Sequence, residues 1–137
     1  MRAFFDTNVL VYRVDSREPD KREVAKRLFD QALAAGLAVL STQTLQEFYN
    51  AATRKLGIPL AIARILAGEY SHAPVVTLSP TLILAAMDRH AAGQFSFRDA
   101  LIVEAALAGG AEVLYTEDMQ DGQTPDGLTI RNPFLNA

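Results

Sequence analysis

The sequence predicts an α/β fold in which a central parallel sheet carries helices on both faces. Short apolar runs alternate along the chain with longer segments whose apolar residues recur at helical spacing. Strands that alternate with helices in this way pair in parallel, and the connecting helices cover both faces of the sheet. The 137 residues contain no repeat, linker or low-complexity segment, so we expect a single domain over residues 1–137.

Five short runs are apolar enough to form strands. They are Ala3–Phe5, Ala38–Leu40, Val75–Leu78, Glu112–Tyr115 and Leu128–Ile130. The segment between the last two, from Glu117 to Gly127, is rich in Gly, Asp, Gln and Pro. That composition predicts a loop.

Six segments have helical patterns, and Gly or Pro marks most of their ends. They are Val9–Arg13, Pro19–Ala35, Thr42–Leu56, Pro59–Tyr70, Pro80–Ala92 and Phe97–Ala108. We expect Thr42 to cap the third of these helices and Ser79 to cap the fifth, because hydroxyl side chains are good helix caps.

Composition excludes several classes of protein. The chain has no cysteine, which removes disulfides and thiolate zinc sites and is typical of the reducing cytoplasm. The N-terminus shows no secretory signal pattern, and no apolar run reaches the roughly 18 residues of a membrane helix. These features predict a cytoplasmic protein with no membrane partner.

Four acids stand where strands give way to helices or loops. Asp6 follows the first strand and Asp118 follows the fourth, while Glu47 and Asp99 lie near the starts of helices that begin at the same edge. The carboxyl ends of parallel strands share one edge, where such folds bind ligands. Four like charges gathered there would repel one another unless cations intervened. Oxygen-rich ligation suits hard ions, Mg²⁺ or Mn²⁺.

Each acid also has a simpler structural explanation. Asp6 or Asn8 could cap the following helix, and Glu47 and Asp99 could belong to capping boxes at their helix starts. Asp118 competes for any role with neighbouring acids. These are Glu117, Asp121 and Asp126. No acid alone decides between the explanations, whereas their common placement favours a shared site.

Four motifs together resemble the PIN domain, in the version found in VapC-type toxins. The motifs are Phe5–Leu10 (Phe-Asp-Thr-Asn-Val-Leu), Gln46–Phe48 (Gln-Glu-Phe), Arg98–Ala100 (Arg-Asp-Ala) and Leu114–Asp118 (Leu-Tyr-Thr-Glu-Asp). They span the chain in the family's order and at ordinary spacing. The resemblance implies a three-layer α/β/α sandwich with a central parallel sheet and a Mg²⁺- or Mn²⁺-dependent endoribonuclease. It also implies the toxin of a type II toxin-antitoxin pair.

The resemblance also implies a role for individual residues. Matched residue by residue, the four metal-binding and catalytic acids are Asp6, Glu47, Asp99 and Asp118, and the polar supporting residues are Asn8 and Thr116. Their metal would activate a water molecule that attacks the RNA phosphodiester. The implied partners are an RNA substrate, a neutralising antitoxin and a second copy of the chain in a homodimer.

Charge gives a mixed indication about RNA. A net charge of −3 argues weakly against a nucleic-acid partner. With the four acids bound to cations, 13 basic residues would face 16 − 4 = 12 acidic ones, and the remaining surface would be close to neutral. Basic residues concentrate near the N-terminus, either as a solvated helix face or as a strip for phosphates. We expect Arg13, Arg17 and Arg98 to be candidates for holding the RNA backbone.

Two other functions fit part of the pattern. Asp6 could be the nucleophile of a phosphotransferase or phosphatase, since such folds also place an aspartate after the first strand. The haloacid-dehalogenase-type pattern, however, has a second aspartate two positions on, where this chain has Asn8. The chain could also be a non-catalytic PIN-like binding module, although a pure scaffold would gain nothing from four repelling acids.

Overall fold

A computed structural model describes all 137 residues, Met1–Ala137. Five parallel strands form one sheet in the order β3-β2-β1-β4-β5. The strands are β1 (Ala3–Phe5), β2 (Ala38–Ser41), β3 (Val75–Val76), β4 (Val113–Tyr115) and β5 (Thr129–Arg131). The helices are α1 (Thr7–Tyr12), α2 (Pro19–Ala34), α3 (Thr42–Arg54), α4 (Leu60–Tyr70), α5 (Pro80–Ala91) and α6 (Phe97–Ala108), with one turn of 3₁₀ helix at Pro125–Gly127. None of the helices has the length and apolar character that crossing a membrane requires.

The sheet is covered on both faces, which confirms the predicted three-layer sandwich. Side chains alternate along β1, so that Phe5 points to one face and Phe4 to the other. The first face packs against α1, α2, α3 and α4 through a core that includes Phe29 and Phe48. The second face packs against α5 and α6, whose small residues bring α6 close to the sheet. The central strands β1 and β2 are thus buried on both sides, as expected for a parallel sheet.

The strand register brings the ends of β1 and β4 together. Phe5 pairs with Tyr115 as the last residue of each strand. The next residues, Asp6 and Thr116, therefore stand side by side at the carboxyl edge of the sheet. The Asp6 backbone N–H donates to the Tyr115 carbonyl at 3.0 Å, which extends this alignment past the strands.

Several element ends differ from the predicted ones. The predicted strand Val75–Leu78 stops at Val76, since the Leu78 N–H bonds to the Thr42 hydroxyl at 3.2 Å instead of to a neighbouring strand. The last strand lies one residue later than predicted. α1 begins two residues earlier than the expected Val9 start. The other helices agree with the predicted bounds to within two residues, and α6 agrees at both ends.

The predicted cap of α3 was wrong. Ser41, and not Thr42, is the N-cap, and its hydroxyl accepts the Thr44 backbone N–H at 3.3 Å. The Thr44 hydroxyl accepts the Ser41 N–H at 3.0 Å, which completes a reciprocal capping box. Thr42 is the first helical residue. The capping box thus uses Thr44 and leaves Glu47, one turn further along, free of any capping role.

Candidate active site

Asp6 is fully buried directly after β1. Its Oδ1 atom accepts the Thr7 backbone N–H at 2.7 Å, so Asp6 does cap α1. Its Oδ2 atom accepts hydrogen bonds from the Thr116 hydroxyl at 2.7 Å and from the Asn8 side-chain amide at 3.4 Å. Asp6 therefore caps α1 and also reaches the neighbouring strand end, so its role as a cap does not exclude a role in a shared site.

Asn8 and Thr116 connect Asp6 to Asp118. The Asn8 amide nitrogen donates to the Asp118 carboxylate at 3.1 Å and to the Thr116 hydroxyl at 3.3 Å. The Thr116 hydroxyl oxygen also accepts the Asp118 backbone N–H at 3.1 Å. The Asn8 amide oxygen accepts the Glu117 N–H at 3.3 Å. These bonds hold the loop after β4 against the start of α1.

The acids considered as alternatives to Asp118 have other hydrogen-bond partners. The Glu117 carboxylate accepts hydrogen bonds from the Tyr12 hydroxyl and from the Lys21 ammonium, the latter at 3.1 Å. Asp121 accepts the Asn132 backbone N–H at 2.8 Å. Asp126 pairs with an arginine of α5. Asp118 is the acid of this loop that shares hydrogen-bond partners with Asp6.

Glu47 reaches the same place from the second turn of α3. Its Oε1 atom accepts the Thr7 hydroxyl at 2.6 Å. Its Oε2 atom accepts the Gln43 side-chain amide, one turn earlier, at 3.4 Å. Thr7, which sequence reasoning treated only as part of a motif, thus joins Asp6 to Glu47. The signal for it was its place between Asp6 and Asn8.

Arg98 lies between three of the four acids. Its guanidinium contacts both oxygens of Asp6, with Nη2–Oδ1 at 2.7 Å and Nη1–Oδ2 at 3.1 Å. It also contacts both oxygens of Glu47, with Nη2–Oε1 at 2.6 Å and Nε–Oε2 at 3.2 Å. Nη1 donates to Asp99 Oδ1 at 3.1 Å. We define the acid cluster as Asp6, Glu47, Asp99 and Asp118. The sequence predicted Arg98 as an RNA contact and did not predict its position within this cluster.

Asp99 enters the acid cluster from the first turn of α6. Ser96 caps this helix by accepting the Asp99 backbone N–H at 3.1 Å. The Asp99 side chain does not return that bond and turns to Arg98 instead. The helix start therefore uses the backbone of Asp99 for capping and leaves its carboxylate for the acid cluster.

The pKa shifts follow from burial and from these contacts. Burial raises the pKa of Glu47, but hydrogen bonds from Arg98 and Thr7 outweigh that effect, and the net pKa lies below the usual value. Burial lowers the pKa of Arg98, and its bonds to Asp6 and Glu47 more than reverse this. Partial burial and the charge of Asp6 raise the pKa of Asp118. Four carboxylates against one guanidinium leave three unbalanced negative charges.

The acid cluster has the donor chemistry for a hard divalent cation. All of its donors are oxygens, and its charge is only partly balanced by Arg98. The amide oxygen of Gln43, beside Glu47, is buried and has no hydrogen-bond donor, so a cation or its water could satisfy it. In the present arrangement, however, no three acidic or histidine side chains converge closely enough to hold a metal. The guanidinium of Arg98 lies between the carboxylates at that point.

A cleft of about 670 Å³ opens over the acid cluster. Residues of α1, α3 and the loop after β4 line it, together with Arg98. At the end of α3, the cleft wall carries Arg54 and Lys55, neither of which forms an ion pair. Arg17 also lines the cleft, where it pairs with Asp15 at 3.0 Å.

Arg13, an expected RNA contact, lies away from the cleft. Its guanidinium pairs with Asp30 at 2.9 Å and lies over the rings of Phe29 and Tyr70, 5.5 Å from each centroid. Arg13 is therefore a packing residue between α1 and α2 and does not line the cleft. Arg54 and Lys55, which sequence reasoning did not single out, take its place as basic residues near the acids.

Solved structures with a similar fold include toxin-antitoxin proteins. A toxin-antitoxin complex from Klebsiella pneumoniae matches with a TM-score of 0.66 and 22% identity, over 96% of this chain and 97% of that one. The toxin VapC20 of Mycobacterium tuberculosis, which cleaves the sarcin-ricin loop, matches with a TM-score of 0.62 and 21% identity, over 85% of this chain and 91% of that one. VapBC2 of Rickettsia felis, bound to a promoter DNA fragment, matches with a TM-score of 0.67 and 17% identity, over 96% of this chain and 98% of that one.

Sequence comparison places the chain more firmly than these structural likenesses do. Among curated proteins, none matches it. The family model of the PIN domain, however, matches residues 3–120, a range that contains all four acids as well as Asn8 and Thr116. The match covers most of the chain, and this chain therefore belongs to the PIN domain family.

Proposed function

We propose that this chain is an endoribonuclease that depends on Mg²⁺ or Mn²⁺ and acts as the toxin of a type II toxin-antitoxin pair. The observation that carries the proposal is that the four acids share hydrogen-bond partners at one edge of the sheet. Arg98 contacts Asp6, Glu47 and Asp99. Asn8 links Asp118 to Asp6. Glu47 and Asp118 line a cleft at this edge, in a chain of the PIN domain family. In this proposal the four acids hold the metal and are the catalytic residues.

Each residue of the site would contribute through contacts already described. When bound, a divalent ion supplies a more acidic water and offsets charge on the phosphate oxygens. Thr7 and Thr116 fix the Asp6 carboxylate, and Asn8 fixes Asp118 relative to it. These bonds would keep the acids at their positions while substrate enters the cleft, which reduces the reorganisation that the reaction requires.

The basic wall of the cleft supports an RNA substrate. Arg54 and Lys55 stand at the end of α3, on the wall of the same cleft that holds Glu47. Because they have no ion-pair partners, they are available to neutralise backbone phosphates. A single strand is better suited than a duplex, since its backbone can be drawn into a narrow cleft.

The partners follow from the family and from the surface. Neighbouring structures are toxin-antitoxin complexes, and we infer an antitoxin and a homodimer for this chain as well. Leu60, Ile62 and Ile65 of α4 are exposed, and such a patch is suited to a protein partner. A toxin that acts on cellular RNA would work in the cytoplasm.

The rival phosphotransferase is less well supported. Asp6 is fully buried, and both of its oxygens accept hydrogen bonds. A nucleophilic carboxylate would need an oxygen facing the phosphorus. Both Asp6 oxygens already face a cation, the Arg98 guanidinium, at 2.7 and 3.1 Å, whereas Asp6 does not line the cleft that a phosphate would enter. These contacts favour a ligand role.

The test is cleavage of cellular RNA by purified variants in Mg²⁺ or Mn²⁺, with the products sequenced. Asp6→Asn and Asp99→Asn should abolish cleavage while the far-UV circular dichroism spectrum is unchanged. Asp88→Asn, which alters an exposed acid on α5, is the matched control and should cleave as wild type does. Wild-type cleavage by either cluster variant would refute the assignment, and phosphate trapped on Asp6 would favour the phosphotransferase.

A further inference from the structure

Arg98 is bound more extensively than any other cation of the chain. Its three nitrogens make six hydrogen bonds, to both oxygens of Asp6, both oxygens of Glu47, Asp99 and the Thr7 hydroxyl. Four of these bonds form two bidentate arginine–carboxylate pairs, the strongest form of charged hydrogen bond. The guanidinium is thus the cation that partly balances the charge of the acid cluster.

A guanidinium and a divalent ion cannot both occupy the middle of the acid cluster. The carboxylate oxygens that a metal would need already lie at 2.6–3.2 Å from Arg98 nitrogens. Both cations are attracted by the same excess of negative charge, so the presence of one weakens the attraction for the other. Their binding is therefore competitive.

Arg98 is placed so that it can leave. Its side chain retains 34% of its exposed surface, and it lines the open cleft, whereas Asp6 beneath it is completely buried. The residue lies in the first turn of α6, where its backbone is held independently of its side chain. Rotation of a long, flexible side chain into the cleft requires no change in the fold.

We propose that Arg98 is a built-in counter-cation that competes with the divalent metal, so that metal binds the acid cluster only as Arg98 withdraws into the cleft. The inference rests on the proposed function for the existence of the metal site, and it adds a residue that sets the metal affinity. It has two consequences. Arg98 stabilises the metal-free protein, and it lowers the affinity of the protein for metal.

Calorimetric titration with Mn²⁺ tests the second consequence. If the acid cluster is free of Arg98 in about 1–10% of molecules, Arg98→Gln should raise the Mn²⁺ affinity about 10- to 100-fold. Arg98→Lys keeps the charge but cannot form the two bidentate pairs, so its Mn²⁺ affinity should lie between those of wild type and Arg98→Gln. Arg54→Gln removes a cation from the same cleft that touches none of the acids, and its affinity should equal that of wild type.

Thermal unfolding in chelator tests the first consequence. Arg98→Gln should melt at a lower temperature than wild type because the acids lose their cation, and saturating Mn²⁺ should raise its melting temperature by more than it raises that of wild type. Arg54→Gln should follow wild type in both conditions. Should Arg98→Gln fail to fold in chelator, Arg98→Lys carries the same comparison with a smaller expected difference.

The outcomes separate this inference from the proposed function. Equal or weaker Mn²⁺ binding by both Arg98 variants would overturn it, because a residue that merely arranges the acids for metal would lower the affinity when removed. In that case the metal-dependent function would still stand. No Mn²⁺ binding by any of the proteins would overturn the inference together with the metal dependence.

Discussion

Tyr70→Phe should destabilise the protein at neutral pH and lose that effect at alkaline pH. Tyr70 is buried at the end of α4, where its ring packs edge-on against Phe29 and Phe48 at centroid distances of 5.2 and 4.8 Å. Its hydroxyl donates to the Leu10 carbonyl at 2.9 Å. Phenylalanine keeps the ring contacts and removes only the hydroxyl, so the substitution isolates one buried hydrogen bond.

The loss of stability at neutral pH comes from the Leu10 carbonyl, which loses its hydrogen-bond donor. Leu10 lies in the last turn of α1, where backbone carbonyls have no helical donor. Removing the hydroxyl leaves that carbonyl buried and unpaired, which costs about 1–3 kcal/mol. The expected site geometry is unchanged, since α1 still packs on the same rings.

The alkaline effect follows from the pKa of the phenol. Burial raises the pKa of Tyr70 to about 12, against about 10 for an exposed tyrosine. The folded state therefore keeps a proton that the unfolded state releases, and stability falls as pH rises. The contribution is fully present below pH 10, is smaller by about 1.4 kcal/mol near pH 11 and by about 2.7 kcal/mol once pH passes 12.

Urea unfolding of both proteins at about pH 8 and pH 11 measures the difference. Every other titrating group is shared, so its contribution cancels between wild type and Tyr70→Phe. The stability gap should shrink by about 1.4 kcal/mol at the higher pH. Absorbance near 295 nm should show a late-ionising phenol in wild type that the variant lacks. A gap of the same size at both pH values would refute the assigned pKa shift.

Two paired substitutions give further predictions. Gly109→Ala would place its methyl carbon 2.6 Å from a methyl of Val39 in the sheet and should cost about 1–3 kcal/mol in thermal unfolding. Gly68→Ala on α4, whose new carbon meets only the flexible end of an arginine at 3.0 Å, should gain up to about 1 kcal/mol; equal effects would contradict the packing argument. In RNA cleavage assays Glu117→Gln should stay near wild type, whereas Asp118→Asn should lose about 10- to 100-fold or more. Loss of activity in Glu117→Gln alone would reverse the assignment of these two acids.

The layers of the fold were predictable because local patterns determine them. α6 agrees with its predicted bounds, Phe97–Ala108, since a serine cap and two glycines mark its ends. The limits of β3 and of the last strand were missed because a neighbouring side chain or strand decides where pairing stops. The Leu78 N–H, for example, is taken by a threonine hydroxyl 36 residues earlier. Such a contact has no local signature.

The candidate site was likewise predictable only in part. Asp6 and Thr116 could be placed together because each follows a strand and the two strands pair in register. The positions of Arg13 and Arg98 could not be predicted, because both depend on which distant side chains surround them. Arg13 packs on rings from α2 and α4, and Arg98 meets acids 51 and 92 residues away. Sequence patterns indicate which face a residue occupies and give no direction for a long side chain.

Arg98 leaves the charge of the acid cluster only partly balanced. The Arg98 guanidinium already makes six hydrogen bonds, to three of the four carboxylates and to the Thr7 hydroxyl. It therefore has no capacity left for Asp118. Asp118 is held instead by the neutral amide of Asn8, and its pKa is raised by burial and by the nearby charge of Asp6. Buried ion pairs contribute little to stability compared with apolar packing. An arrangement that gathers four acids around one arginine is therefore costly as a scaffold, and binding of a divalent ion would offset that cost.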